Sequence, residues 1–351
     1  MERDANLDKY RAIVMAYIVC IIHLIYWAGF CSEPDRSFLL FEMPVIFFIS
    51  GASYRLSTPK SYTSFVKGRI RRIIIPYYIW LLLSLPLSII LLQFGRWGID
   101  AGLTEGMSNS ELMDSGIRKI VLFHRSQGLI PFDNHVWFIV PFFLIMLLAP
   151  LVSRLINNQR DMVFCIVLFL LLVFVGDFLY HEMLIYNKVV ELINYVFAYL
   201  PFFIIGFAYK KAKLTPWHIL LAILLIFISV WAMRNGVYPD SVQLNKFPPT
   251  CCFVIYNFGV MLLLIYLFDH IRIPDWKWLG IYNKRGFTIY IYQNWTMAFF
   301  YYLILLPVRE IHIIPDWTLF LISLLFLFYL NMFLSKYTYK LEQFIISKIW
   351  K

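Results

Sequence analysis

The sequence predicts an all-α, polytopic membrane protein with about ten transmembrane helices and both termini cytoplasmic. Three observations carry that expectation. Hydrophobic residues make up 61% of the 351 positions and charged residues only 15%, more apolar surface than a soluble chain of this length can hide. Aromatic residues reach 19%, as suits a protein whose Trp and Tyr side chains sit at membrane–water interfaces. Ten mainly apolar stretches come close to the ~20 residues that a helical span needs.

Those stretches run roughly over 12–30, 38–57, 70–93, 136–154, 162–180, 189–209, 216–233, 249–268, 287–306 and 315–335. Lipid offers the backbone no partners, so open strands are excluded and the spans are expected to be helices. A short charged stub leads directly into the first span, which is expected to be retained rather than cleaved as a signal. No internal repeat or low-complexity segment stands out, and one transmembrane domain over 1–351 is expected. The one long connection, 94–135, carries Gly, Ser, Asp and Glu and has room for a short helix; it is expected on the extracytoplasmic side.

The net charge of +10 raises nucleic acid as a partner, but its placement argues for a membrane instead. With the N-terminus inside, most of the 31 Lys and Arg residues fall in cytoplasmic segments, as the positive-inside rule requires. Examples are Arg3, Lys9 and Arg11; Arg55, Lys60 and Lys67; Lys210, Lys211 and Lys213; and Lys348 with Lys351 at the other end. Membrane lipids are therefore the expected surroundings, with no nucleic acid and no oligomeric state read from the chain. Cys20, Cys31, Cys165, Cys251 and Cys252 form no CxxC pair and read as small packing residues, with no metal expected.

The chemistry-bearing residues stand out against this apolar background. In MAYIVCIIHLIYWAGF, residues 15–30, His23 is the one ionisable imidazole in a greasy run. It lies twelve residues beyond Arg11, roughly 18 Å higher along a helix, past the middle of a ~30 Å core. An ionisable group at that depth is a functional candidate by default, the bland alternative being a neutral histidine bonded to a neighbouring helix. Glu42, near the outer end of the second span, could share that depth, and a carboxylate beside an imidazole would orient it and raise its basicity. Glu42 reads equally as an interfacial acid. Ser50 and Gly51 allow close approach of a ligand or of another helix. In KGRIRRIIIPYYIW, Arg69 and Arg72 are three apart and would share a helical face, where two guanidiniums make a fork for phosphate oxygens or anchor the cytoplasmic mouth. Pro76 then favours a kink. Asp133, Asn134, His135 and Trp137 open the fourth span, where they could touch a sugar or cap a helix. Tyr290, Tyr292, Gln293 and Asn294 lie together in the ninth span and must line a cavity or bond across helices.

In this order the motifs resemble the membrane-bound acyltransferase-3 family, the O-acyltransferases of bacterial surface glycans. The family's opening Arg and His correspond to Arg11 and His23. Its Phe-Phe-x-x-Ser-Gly stretch corresponds to Phe47–Gly51, its Arg-x-x-Arg to Arg69–Arg72, and its Pro-Tyr to Pro76-Tyr77. A Trp-Phe helix opening recurs as Trp137-Phe138 and a late Tyr-x-Tyr as Tyr290-Ile291-Tyr292. Two departures are visible. Ten residues usually separate the family's Arg and His, whereas eleven, 12 through 22, separate Arg11 and His23; a bulge in the helix would absorb the extra one. Gln293 and Asn294 stand where many members carry a His, which weakens the expectation of a base on that helix.

The resemblance implies a multi-pass enzyme of the bacterial plasma (inner) membrane. It moves an acyl group, most simply acetyl, from cytoplasmic acetyl-CoA (acyl-CoA) to a hydroxyl of a surface polysaccharide or lipid-linked glycan. Arg69 and Arg72 would hold the donor's phosphates, with Arg11, Ser50 and Tyr77 also on the donor side. His23 would act as general base or carry the acyl group itself, with Glu42 orienting it by the depth argument above. His135, Trp137, Tyr290, Tyr292 and Asn294 would face the acceptor. The alternative is an exporter or flippase for a polysaccharide or lipid-linked sugar, for which inverted repeats would be expected; no repeat is visible, although Pro76 and Pro86 interrupt one span.

Overall fold

The computed structural model describes residues 4–57, 61–95, 105–181, 188–209, 214–312 and 314–349. Arg3, Lys60, Lys210, Lys211, Lys213 and Lys351, used above to orient the chain, lie outside the described residues. The described residues form helices and connections with no β-strand; a single bridge pairs Lys246 with Pro249. In chain order the helices are α1 (Ala5–Ala28), α2 (Glu42–Ser57), α3 (Tyr62–Leu91), α4 (Asn109–Val121), α5 (Ile139–Leu155), α6 (Gln159–His181), α7 (Lys188–Gly206), α8 (Pro216–Arg234), α9 (Cys251–His270), α10 (Lys277–Phe300), α11 (Leu306–Ile311) and α12 (Asp316–Ile349). Among the described residues nine helices are long and apolar enough to cross a membrane. The remaining expected span, 287–306, is helical as well, within α10 and the turn that follows it. It is less apolar because it carries Thr288, Gln293, Asn294 and Thr296, all of which are buried in the protein.

The chain divides into two compact units, each assembled from separate stretches of sequence. The first comprises Met1–Val14, Cys31–Tyr62 and Leu144–Trp276. Within it α2 packs on α7, α6 on α7, and α8 on α9. The α2–α7 contact is close because two glycines meet it. A β-carbon at Gly51 would collide with the Phe203 carbonyl oxygen, and one at Gly206 with the Phe48 carbonyl and the Ala52 nitrogen. Helix packing in lipid gains from such small residues because apolar side chains have no water to escape from. The outer faces of α6 and α8 expose Phe164, Leu171, Phe174, Leu220, Ile223 and Phe227, the surface expected of helices against acyl chains. At α2's start, segment 235–250 is tied down: the Val242 N–H donates to Ser37 Oγ at 3.0 Å, and Lys246 Nζ meets Glu42 Oε1 at 2.7 Å.

The second unit comprises Met15–Phe30, Thr63–Phe143 and Lys277–Lys351. Here α10 packs along α12 and touches α3, while α4 lies against α3. The helix allowed for in the long connection is α4. A capping box starts it, with Ser108 Oγ accepting from the Glu111 N–H at 3.2 Å and Glu111 Oε2 accepting from the Ser108 N–H at 2.7 Å. Those hydrogen bonds hold the exposed Glu111 carboxyl below its ordinary pKa. Leu112 packs against Leu92 and Leu129 beneath it. After α4 the chain runs back inward through a segment in which Phe123, Gln127 and Phe132 all have left-handed backbone, with φ of 63°, 56° and 53°. Non-glycine residues adopt this conformation only where their surroundings hold it, and such residues concentrate at functional sites. Three π-helical turns occur among the described residues, Tyr17–Ile22, Ile70–Ile74 and Tyr301–Leu305, and all lie in this unit.

Candidate functional site

The site grows from α1 and α10. The π-helical turn Tyr17–Ile22 falls between Arg11 and His23 and is a bulge of the kind that could absorb the extra residue: a wide turn takes up one residue and returns His23 to the register of a ten-residue interval. On α10, Tyr290, Gln293, Asn294 and Met297 recur at helical spacing and are all buried, forming one inward stripe. Two tryptophans fix this stripe to α3. Trp80 Nε1 donates to Asn294 Oδ1 at 3.2 Å, and Trp295 Nε1 donates to Ser84 Oγ at 2.8 Å.

His23 is only partly buried, and its Nδ1 lies 2.6 Å from Gln293 Oε1. The other end of that amide is also engaged: Gln293 Nε2 donates to the Tyr290 carbonyl at 2.7 Å. The indole of Trp27, one turn along α1, stacks on the imidazole with centroids 4.4 Å apart and planes 7° apart. The rings of His135 and Tyr290 each sit 6.0 Å from that of His23. Tyr290 Oη donates to the His135 carbonyl at 2.6 Å. The His135 ring is buried between two backbone carbonyls, with Nδ1 3.1 Å from Phe132 O and Nε2 3.3 Å from Ile291 O. Asn294 Nδ2 reaches the Pro131 carbonyl at 3.1 Å, so the left-handed turn at Phe132 is held by α10 on both sides. Phe132 and Trp27 join Met297, Phe300 and Leu327 in an apolar cluster that adjoins the histidines. Within the second unit, His23, His135, Tyr290 and Asn294 are thus brought together, and Gln293 joins them.

Other expected residues take different positions. The carboxylate expected beside His23 is Glu42, but its Oε1 pairs with Lys246 in the first unit, at side-chain exposures of 3% and 5%, and the residue that meets His23 Nδ1 is Gln293. Arg11 donates to Asp8 at 3.2 Å and to Ser53 Oγ, tying the start of α1 to α2. Ser50 is partly buried, and the neighbouring Gly51 serves helix packing as described above. Tyr77 is fully buried, its hydroxyl donating to the Ile120 carbonyl, so it holds the end of α4. Arg69 is partly buried with its guanidinium 4.7 Å over the Phe65 ring, while Arg72 is exposed. The π-helical turn Ile70–Ile74 begins directly after Arg69. Each residue there turns less than in an α-helix, so Arg72 falls further round from Arg69 than the α-helical spacing implied. Asp133 lies at the start of the short helical turn before α5, and its Oδ2 accepts the Ser126 N–H at 2.5 Å. Trp137 is partly buried with its ring edge-on to Phe138, and the buried Tyr292 hydroxyl has no hydrogen-bond partner among the described residues.

Gln293 was visible in the sequence as a departure from a pattern, not as a partner; the polar run on α10 was the signal that could have found it. Among the described residues no three His, Cys, Asp or Glu side chains converge as a metal site would require. The arrangement can do one thing well. An imidazole fixed at Nδ1, partly exposed and walled by aromatic rings can take a proton from a hydroxyl brought to it.

A family model for an acyltransferase domain matches residues 4–336, nearly the whole chain. No curated protein and no solved structure matches.

Proposed function

Because the chain belongs to the acyltransferase-3 family of membrane acyltransferases, we propose that residues 4–336 act as one catalytic domain moving an acetyl group from cytoplasmic acetyl-CoA to a hydroxyl of a surface or lipid-linked glycan. The observation that carries the reading is His23, held at Nδ1 by Gln293 and stacked on Trp27 in a helix that crosses the membrane. His23 takes the proton of the acceptor hydroxyl as its oxygen attacks the thioester carbonyl. The C–O bond forms, the C–S bond breaks, and the thiolate leaves with the proton that His23 returns. Arg69, and the exposed Arg72 further round the helix, meet the donor's phosphates at the cytoplasmic end of α3. Arg11 and Ser50 serve the donor side at the α1–α2 junction, and Tyr77 serves it from α3, five residues beyond Arg72. Trp137 and Tyr292 supply apolar and hydroxyl contacts for a sugar; His135, Tyr290 and Asn294 shape the wall behind it. Glu42 supports the outer surface through Lys246 rather than through His23. The protein works in the bacterial plasma (inner) membrane.

The test is acetyl-CoA binding and acetyl transfer by the purified protein in nanodiscs, wild type beside Arg69→Ala, Arg72→Ala and His23→Ala. Losing a charged hydrogen bond costs about 1.5–3 kcal/mol, so Arg69→Ala should weaken binding roughly tenfold or more. Exposed Arg72 should cost less, on the order of 1 kcal/mol. His23→Ala should bind the donor normally and transfer nothing. Transfer at the wild-type rate by His23→Ala would remove the catalytic assignment, and an absence of donor binding in every variant would favour an exporter.

A further inference from the structure

The geometry points to a second residue in the reaction: we propose that Gln293 is a positioning residue that locks His23 in its Nδ1–H tautomer and so makes Nε2 the nitrogen that accepts the proton. The inference rests on the acyl-transfer reading of His23 and deepens it.

An amide side chain has a donor end and an acceptor end, and the contacts at both ends determine which is which. One end of Gln293 lies 2.7 Å from the Tyr290 carbonyl oxygen, which can only accept, so the NH2 group belongs there. The reversed amide would set two oxygens against each other at that distance. The remaining oxygen, Oε1, can only accept, and it lies 2.6 Å from His23 Nδ1. Nδ1 must therefore carry a hydrogen. A neutral imidazole has one N–H, so its lone pair is on Nε2.

The lock is rigid. Gln293 is 1% exposed and its donor bond closes onto its own helix, so the oxygen cannot swing away without stranding a buried amide. It is also electrically neutral. A carboxylate at this place would favour the charged imidazole and hold it protonated at rest, whereas an amide orients the ring without that bias. When Nε2 takes the acceptor's proton, Nδ1–H keeps its bond to Oε1, and the Trp27 face stacked on the ring at 4.4 Å attracts the new positive charge. Orientation and charge stabilisation are thus divided between Gln293 and Trp27, where a catalytic triad assigns both to one acid.

The tautomer can be read without any substrate. Histidine-selective 15N labelling of the full chain in nanodiscs, with His23 assigned among the seven histidines by difference from His23→Ala, reports which nitrogen carries the proton in the neutral ring. Wild type should show the Nδ1–H form. Gln293→Leu should lose it and lower kcat for acetyl transfer roughly tenfold or more, with KM for acetyl-CoA little changed. Gln293→Glu should keep the Nδ1–H form once the pH is raised far enough to leave the ring neutral. If Gln293→Leu does not fold, Gln293→Asn withdraws the oxygen by one methylene while keeping an amide, and should show the same loss of the Nδ1–H signal. An Nε2–H ring in wild type, or a tautomer indifferent to residue 293, overturns the proposal. A wild-type protein with the Nδ1–H signal but no transfer would instead count against the acyltransferase reading, so the two failures are distinguishable.

Discussion

A histidine inside a span costs enough that the chain must give it partners, and the residue scale shows which parts of this were legible. His23 was conspicuous because an ionisable side chain in an apolar run is rare without a use. Its partner was not, because Gln293 lies 270 residues away and nothing local to either residue records the contact. Glu42 shows the converse. Its type and depth suited an imidazole, but Lys246 holds it, from a loop whose sequence carries no sign of that role. A buried ion pair broken on one side leaves an uncompensated charge, at about 3–5 kcal/mol. Lys246→Met should therefore lower the thermal unfolding temperature in detergent markedly, and adding Glu42→Gln to it should recover most of the loss. Equal unfolding temperatures for wild type and Lys246→Met would mean that the pair holds nothing.

At the scale of elements, spacing rules worked where helices are α-helical and failed where they are not. The eleven residues between Arg11 and His23 left room for a bulge, and the π-helical turn Tyr17–Ile22 lies between them. The three-residue interval between Arg69 and Arg72 implied a shared face, and the turn Ile70–Ile74 alters that angle. Sequence periodicity assumes a constant turn per residue, and wide turns break that assumption without a composition signal. Helix packing gives a sharper contrast between two glycines. Gly51→Ala puts a methyl against the Phe203 backbone, which cannot yield as a side chain would, and should destabilise by about 1–3 kcal/mol. Gly68→Ala, in a helix with nothing within 4 Å of the added carbon, should be neutral or stabilise by roughly 0.5–1 kcal/mol. Thermal unfolding of the two variants side by side checks the pair; equal effects would remove the close approach of α2 and α7 as the reason for Gly51.

For the whole molecule, the charge distribution makes its own prediction. Reporter fusions at residue 351 and after residue 213 should both be cytoplasmic, and one within 96–104 should be external. An external reporter at residue 351 would overturn the even number of spans. Composition and apolar run length determined the fold class and most of the helices, because partition between water and lipid acts on each segment nearly independently. The tertiary structure alone decided the rest. The two units are each built from discontinuous stretches, Gln293 meets His23, Lys246 meets Glu42, and Tyr77 and Asn294 are spent on backbone carbonyls. Such choices depend on which helices become neighbours. Inside lipid that is settled by close packing and by the need of every buried polar group for a partner, and both are properties of pairs of segments rather than of any one.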